Sequence, residues 1–232
     1  MSPDAAVQQF DDERAEAYDE RIRQLAPGYD ALQDTVAAAL ASRLPTTAHL
    51  LVAGAGTGAE IVPMGRAHPQ WRFTAVDPSP AMLERCRASV AEAGLENRVS
   101  YVSERVEAMP DTATFDAATS LLVAHFIEGE EAKQRYFRNI AERLASGAPL
   151  VWADLYRPPT EAAFRRLWAA WREQMRAQMS ADAVAKAVER IEEGISFVRP
   201  ATQERIVTEA GFTPPTPIHQ QLLWGAWMAE VA

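Results

Sequence analysis

Leu50-Leu51-Val52-Ala53-Gly54-Ala55-Gly56-Thr57-Gly58-Ala59 is the stretch whose reading decides the fold. Four apolar residues run into three glycines at alternate positions, and an alanine-rich segment follows. The apolar run has the continuous character of a strand buried on both faces, as in a parallel sheet covered by helices. Glycines supply the positive φ that a sharp turn needs and leave the backbone open to a ligand. A helix beginning near Ala59 would aim its free N–H groups and the positive end of its dipole back at that ligand. Strand, glycine turn and helix N-terminus read together as a nucleotide-type cofactor site.

Toward the C-terminus, Ala59 to His68 reads as a helix with an irregular start, because Pro63 falls inside its opening turns. Trp71 to Asp77 is a second strand and ends on an acid. Pro78-Ser79-Pro80 opens a helix that carries Met82, Leu83, Cys86 and Val90 and stops at Gly94. Val99 to Val102 and Phe115 to Leu122 are the third and fourth strands. Glu130 to Leu144 is amphipathic, and Pro149 to Asp154 is the fifth strand. Strands alternating with helices of this length specify a parallel, doubly wound α/β sheet.

After the fifth strand the alternation stops. Phe164, Trp168, Trp171 and Met175 recur at helical spacing, and a second helical piece begins near Ser180. Residues 157–198 therefore read as a helical insert that covers either a substrate pocket or a second subunit, which makes a homodimer through the insert an expectation. Glu204 to Ala210 is a last helix, and Thr213 to His219 and Gln221 to Met228 form a closing hairpin. On the N-terminal side, Phe10 to Leu25 and Tyr29 to Leu44 are helical. Residues 10–45 read as a cover over the sheet, with Tyr18 either facing the cofactor or packing between helices.

Composition narrows the function classes. A chain of 232 residues is expected to form one domain, 1–232, around one core. No apolar run is long enough to span a bilayer, and the polar residues before Arg14 contain no secretory h-region. The single cysteine, Cys86, fits a reducing compartment, so the sequence points to a cytoplasmic protein without membrane partners. A net charge of −9 disfavours nucleic acid as a partner and leaves a small-molecule substrate. The four histidines (His49, His68, His125 and His219) are scattered, so no metal site is expected. Cys86 sits mid-helix on a packed face and is not a nucleophile candidate.

The glycines alone leave the cofactor open. Gly54-x-Gly56-x-x-Ala59 satisfies the loose dinucleotide fingerprint, and Asp77 lies where an acid would hold the ribose of NAD. Against that reading, two helices precede the glycine strand and no second nucleotide-binding half follows.

The surrounding motifs resemble the class I S-adenosylmethionine-dependent methyltransferases. Gly54 to Gly58 is similar to their first motif, and Val76-Asp77-Pro78-Ser79-Pro80-Ala81-Met82-Leu83 to their second. Phe115-Asp116, Leu144-Ala145-Ser146-Gly147 and Ala210-Gly211-Phe212 follow in matching order. The resemblance implies a Rossmann-like sheet of seven strands, the last antiparallel, and S-adenosylmethionine as cofactor with S-adenosylhomocysteine as product. It implies a cofactor site built from Ala53, Gly54, Ala55, Gly56 and Gly58 on the loop, and from Asp77, Pro78 and Met82 after the second strand. Glu104, Arg105 and Val106 after the third strand, Ser120 and Leu121 at the end of the fourth, and Tyr18 from the cover complete it. Relatives carry an acid two positions before the first glycine; here Val52 stands there, so another group must hold the methionine ammonium. Methyl transfer needs a base only when the acceptor loses a proton. His125 is the candidate, the alternative being a histidine bonded to a loop carbonyl at the pocket rim. Asp154 and Tyr156 belong to the same mouth.

The chain ends also resemble carboxy-S-adenosylmethionine synthases, through Phe10-Asp11, Pro27-Gly28-Tyr29, Ala210-Gly211-Phe212 and Trp224-Gly225-Ala226. That likeness implies an arginine for a carboxylate, either Arg190 or Arg199. A non-enzymatic relative is the remaining alternative.

Overall fold

The computed structural model describes residues 18–26, 28–110 and 114–232. A seven-stranded sheet has the order β3-β2-β1-β4-β5-β7-β6. The strands are β1 (His49–Ala53), β2 (Arg72–Val76), β3 (Val99–Val102), β4 (Ala117–Leu121), β5 (Pro149–Leu155), β6 (Thr216–Gln221) and β7 (Trp224–Glu230). β1 to β5 are parallel, and β7 runs antiparallel to both of its neighbours. The chain steps outward from β1 to β3 and then returns to place β4 beside β1. The order therefore reverses between β1 and β4, where open α/β sheets bind ligands at the C-terminal strand ends.

Alternation along the strands builds two cores. Leu50 and Val52 face one side with Phe73, Val151 and Trp171, while Leu51 and Ala53 face the other with Phe137 and Trp152. Helices α1 (Tyr18–Leu25) and α2 (Tyr29–Ala41) bury Ile22, Leu32, Val36 and Leu40 against the first core. Residues 10–17 of the anticipated first helix lie outside the described residues. Ser79 caps α4 (Pro80–Glu92), where its hydroxyl accepts from the Met82 amide at 3.3 Å and Pro80 opens the helix. α5 (Glu130–Ala141) buries Tyr136, Phe137 and Ile140 against the second core. Between β5 and β6 run α6 (Glu161–Gln178), α7 (Ala181–Gly194) and α8 (Pro200–Glu209), the first two capped by the hydroxyls of Thr160 and Ser180.

The structure moves several boundaries, and prolines account for three of the shifts. α3 spans Ile61–Ala67, two residues later than expected, which brings Pro63 into the first turn, where no intrahelical N–H bond is lost. α8 starts at Pro200 rather than Glu204, with the proline as its first helical residue. The hairpin begins at Thr216 because Pro214 and Pro215 offer no ladder donors. Pro217 is tolerated within β6 because that strand is the edge of the sheet, with a register shift beside it.

Among the described residues, no helix is long and apolar enough to cross a membrane. Cys86 is buried, and burial pushes its thiol up to about 12, in keeping with a packing role.

Trp171 joins the insert to the rest of the molecule. Its side chain is fully buried, and its indole N–H donates to the Leu25 carbonyl at 2.6 Å. It meets Trp168 and Trp224 edge to face at 5.1 and 5.3 Å. We predict that Trp171→Ala destabilises the protein by about 3–5 kcal/mol. Trp171→Phe, which keeps most of the volume and loses the hydrogen bond, costs about 1–2 kcal/mol. Urea unfolding followed by circular dichroism measures both, and equal costs would remove the hydrogen bond from the account.

Candidate functional site

The glycine loop is folded against the end of β2. The amides of Gly54 and Ala55 both donate to the Val76 carbonyl, at 2.8 and 3.0 Å, and Gly58 donates to Ala55 at 2.8 Å. The Gly56 amide donates to Asp77 Oδ2 at 2.9 Å. These four donors are engaged within the protein, so the loop is not an open cradle for phosphate. At the start of α3 the amides of Ile61 and Val62 both donate to the Gly58 carbonyl, at 3.0 and 3.2 Å. Gly54, Gly56 and Gly58 all have positive φ. At Gly54 the requirement is steric as well, since a Cβ there would come within 2.3 Å of Val123 Cγ2.

Asp77 ties three segments together. Its Oδ2 holds Gly56, and its Oδ1 accepts from the Ser79 amide at 2.9 Å, just before α4. A carboxylate has about four lone-pair sites, so two remain for a ligand that presents vicinal hydroxyls. Burial raises the Asp77 pKa, and the amides of Ser79 and Gly56 oppose that rise.

A cavity of about 520 Å³ opens beside this latch. Of the residues that the resemblance assigns to the cofactor, Tyr18, Gly54, Gly56, Asp77, Pro78, Met82, Glu104, Arg105, Val106 and Leu121 line it. Ala53, Ala55, Gly58 and Ser120 do not line it. Ala53 and Ala55 are buried in the two cores, Gly58 faces Cys86, and Ser120 bonds the Tyr136 hydroxyl at 2.8 Å. Sequence reasoning missed Leu122, Val123, Phe126, Arg135 and Tyr136, which also line the cavity. The available signal was positional, since the segment after β4 leaves the sheet at the reversal point. Leu122 also carries a left-handed φ of 62°, an unfavourable conformation for a branched side chain.

A second cavity, about 150 Å³, adjoins the first and shares Tyr18, Leu122 and Phe126 with it. Its walls include His125, Trp171, Trp224 and residues of α7. His125 is held by a carboxylate rather than a loop carbonyl. Its backbone amide donates to Asp154 Oδ1 at 3.0 Å, and its Nδ1 lies 2.9 Å from the same oxygen. Both residues are buried. Nε2 makes no hydrogen bond among the described residues. Lys133 donates to the Ala124 carbonyl beneath this turn, with burial drawing its pKa down and Asp154 drawing it up. Tyr156 turns its hydroxyl to the Leu222 carbonyl at 3.0 Å, and lines neither cavity.

Val52 pairs in register with Thr119, whose hydroxyl donates to Glu60 Oε1 at 3.1 Å. A carboxyl group thus lies next to the position where the strand carries valine. Burial pushes Glu60 up to about 7, opposed by Thr119 and its own amide and reinforced by Asp77. No group of His, Cys, Asp and Glu able to hold a metal occurs among the described residues.

A family model described as a methyltransferase domain matches residues 50–147. The carboxy-S-adenosyl-L-methionine synthase of Dichelobacter nodosus is 26% identical over 223 residues, covering 95% of this chain and 91% of that protein. The S-adenosylmethionine-dependent methyltransferase SibL, solved in its apo form, is 21% identical with a TM-score of 0.63, covering 86% of this chain and 54% of its own. This chain therefore spans only about half the length of that structure. Magnesium protoporphyrin IX methyltransferase from Synechocystis PCC 6803, solved with S-adenosylhomocysteine bound, is 14% identical with a TM-score of 0.65, covering 90% and 86%. At these identities the solved structures establish the fold.

Glu60 generates a prediction about stability. Its folded pKa of about 7 lies above the ordinary 4.5, so its contribution is full below about pH 4.5 and is lost as pH rises through about 7. The loss amounts to about 3 kcal/mol at mildly alkaline pH. Glu60→Gln keeps an acceptor for Thr119 and should remove this loss, so the variant unfolds at higher urea than the parent at pH 8 but not at pH 5. Parallel pH profiles for the two proteins would exclude Glu60 as the source.

Proposed function

We propose that the chain is a class I S-adenosylmethionine-dependent methyltransferase and that it methylates a small molecule held in the second cavity. The observation that carries this reading is the Asp77 latch beside a large cavity whose glycine-loop donors are already engaged. S-adenosylmethionine is the cofactor and brings no phosphate, so it asks nothing of those amides. NAD would bring a pyrophosphate, to which the engaged amides of Gly54, Ala55, Gly56 and Gly58 offer no donor.

The residues present fit this cofactor. Asp77 keeps lone pairs for two ribose hydroxyls, and Glu104 offers an acceptor for a base amine. Glu60, at the start of α3, places a buried carboxyl beside Thr119, the strand neighbour of Val52, but lines neither cavity. When bound, S-adenosylmethionine supplies a methyl group already activated on sulfur, which leaves orientation and exclusion of water to the protein. Tyr18, Leu122 and Phe126 stand where the two cavities meet and frame the passage between them. The insert helices α6 and α7 and the cover helix α1 close the second cavity.

The dyad favours an acceptor that loses a proton on methylation, such as a hydroxyl. Asp154 holds the proton on His125 Nδ1, which makes Nε2 the basic nitrogen, able to take the acceptor proton. Asp154 acts through His125 and is a positioning residue. A second reading, carboxy-S-adenosylmethionine synthesis, draws on the curated relative and on Arg190, which lines the second cavity; Arg199 does not and instead sits at the start of α8.

Calorimetric titration with S-adenosylmethionine, S-adenosylhomocysteine and NAD tests the cofactor, and NAD binding without response to the other two would overturn the proposal. Mass spectrometry of ligand released from purified protein separates the two readings, since a carboxylated cofactor is heavier. Asp77→Ala should weaken S-adenosylmethionine binding by about 1–3 kcal/mol. His125→Ala should lower kcat about 10²–10⁴-fold while leaving S-adenosylhomocysteine affinity unchanged. Asp154→Asn should lower kcat in the same direction and alter its pH profile. An unchanged kcat in His125→Ala would remove the base.

A further inference from the structure

α5 carries a lysine where its own periodicity calls for an apolar residue. Lys133, Tyr136, Phe137 and Ile140 fall at the i, i+3, i+4 and i+7 positions of one face, and all four are buried. An apolar side chain would complete that face, whereas an ammonium taken out of water is costly there unless it is paired or bonded. Lys133 makes one hydrogen bond among the described residues, to the carbonyl of Ala124, the residue before His125. The N–H of the same peptide unit donates to Asp154. Two buried charges of opposite sign therefore hold one peptide, and the Ser196 amide holds the next carbonyl, that of His125, at 2.8 Å.

Behind the imidazole lies a chamber of about 10 Å³, whose polar walls are His125, Asp154, Lys133, Ser196 and Gln203. It has room for about one water molecule, so bulk solvent does not screen the charges around it. Asp154 favours the ammonium of Lys133 against the burial that opposes it. His125 lines the second cavity as well. The ring thus stands between the space assigned to the acceptor and a chamber that holds one anion and one cation.

We propose that Lys133 is a positioning residue for the His125 base: its ammonium grips the turn that carries the imidazole and offsets the Asp154 charge, which leaves the ring neutral and able to accept a proton. The inference rests on the methyl-transfer reading, which makes His125 the base, and adds the group that keeps it one. A buried carboxylate alone beside an imidazole favours the imidazolium, whose two nitrogens are both donors and cannot take a further proton. A cation in the same chamber opposes that bias. The groups facing His125 are Asp154 from β5, Lys133 from α5, and, around the second cavity, Tyr18 and Arg21 from α1 and Arg190 from α7. Burial raises the pKa of Tyr18 and of Tyr136, the next ionisable group on α5 to feel Asp154, so both stay neutral. The arginines keep their charge at every pH. Replacing Lys133 therefore changes one charge against a constant background.

The test is an NMR pH titration of the histidine ring protons in the full chain saturated with S-adenosylhomocysteine, with His125→Gln identifying the His125 signal. In Lys133→Met that signal should cross from its acid to its neutral position about one pH unit higher than in the parent. Lys133→Gln keeps an N–H for the Ala124 carbonyl and loses the charge, and should follow the Met variant. Lys133→Arg keeps the charge and should stay close to the parent. A crossover that does not move in the neutral variants, or moves down, would overturn the proposal. A Gln variant that follows the parent would also overturn it, by leaving the hydrogen bond as the whole effect. Should one neutral variant fail to fold, the other carries the comparison; failure of both would make the lysine structural and overturn the proposal too. Failure of the parent to bind S-adenosylhomocysteine, read in a separate calorimetric titration, would instead overturn methyl transfer itself and the base role with it.

Discussion

One buried carboxylate, Asp77, holds the site together. It receives the Gly56 amide on one oxygen and the Ser79 amide on the other, so the glycine loop, the end of β2 and the start of α4 cannot move apart independently. The adjoining Val76 carbonyl takes two further loop amides. A buried carboxylate without such partners would be strongly disfavoured, and here two backbone donors offset the burial. The loop is thereby folded down onto the sheet, which leaves the large cavity beside it. The same contacts explain why the first glycine cannot carry a side chain, since Val123 from the segment after β4 occupies that space.

A second set of contacts closes the mouth. Thr57 on the loop donates to Asp19 of α1 at 2.6 Å, and Trp171 of α6 donates to the carbonyl at the end of the same helix. α1 therefore bridges the cofactor loop and the insert, and carries Tyr18 to the boundary between the two cavities. Leu122, on the opposite wall, is held in a left-handed conformation by the Ala153 carbonyl, which accepts from its amide at 2.7 Å. Backbone strain of this kind, on the order of 1–3 kcal/mol, persists only where neighbouring contacts over-determine it. Here it turns the chain from β4 into the passage between cavities and leads into the turn that carries His125.

Much of the frame was legible in the residues. Continuous apolar runs at 50–53 and 149–154, the alternation with helices, and the glycines at 54, 56 and 58 define a doubly wound sheet with a ligand at its reversal point, because burial on both faces and positive φ are local demands. Asp77 was legible for the same reason, as an acid at the end of the second strand. Helix starts at Pro200 and before Pro63 were misjudged by a few residues, since a proline tolerates several positions in a first turn and only packing selects one.

Tertiary structure decided the rest. Four of the loop and strand residues assigned to the cofactor, Ala53, Ala55, Gly58 and Ser120, turn away from the cavity, while Arg135 and Tyr136 reach it from a helix more than fifty residues downstream of Asp77. The partner of His125 is Asp154, and the acid beside Val52 comes from Glu60, neither pairing being encoded by spacing. The sequence by itself determined which segments form the sheet and where a ligand meets it, because those follow from periodicity and backbone freedom. Which side chains share a cavity, and with what charge, depends on contacts between segments distant in the chain, and only the folded arrangement specifies them.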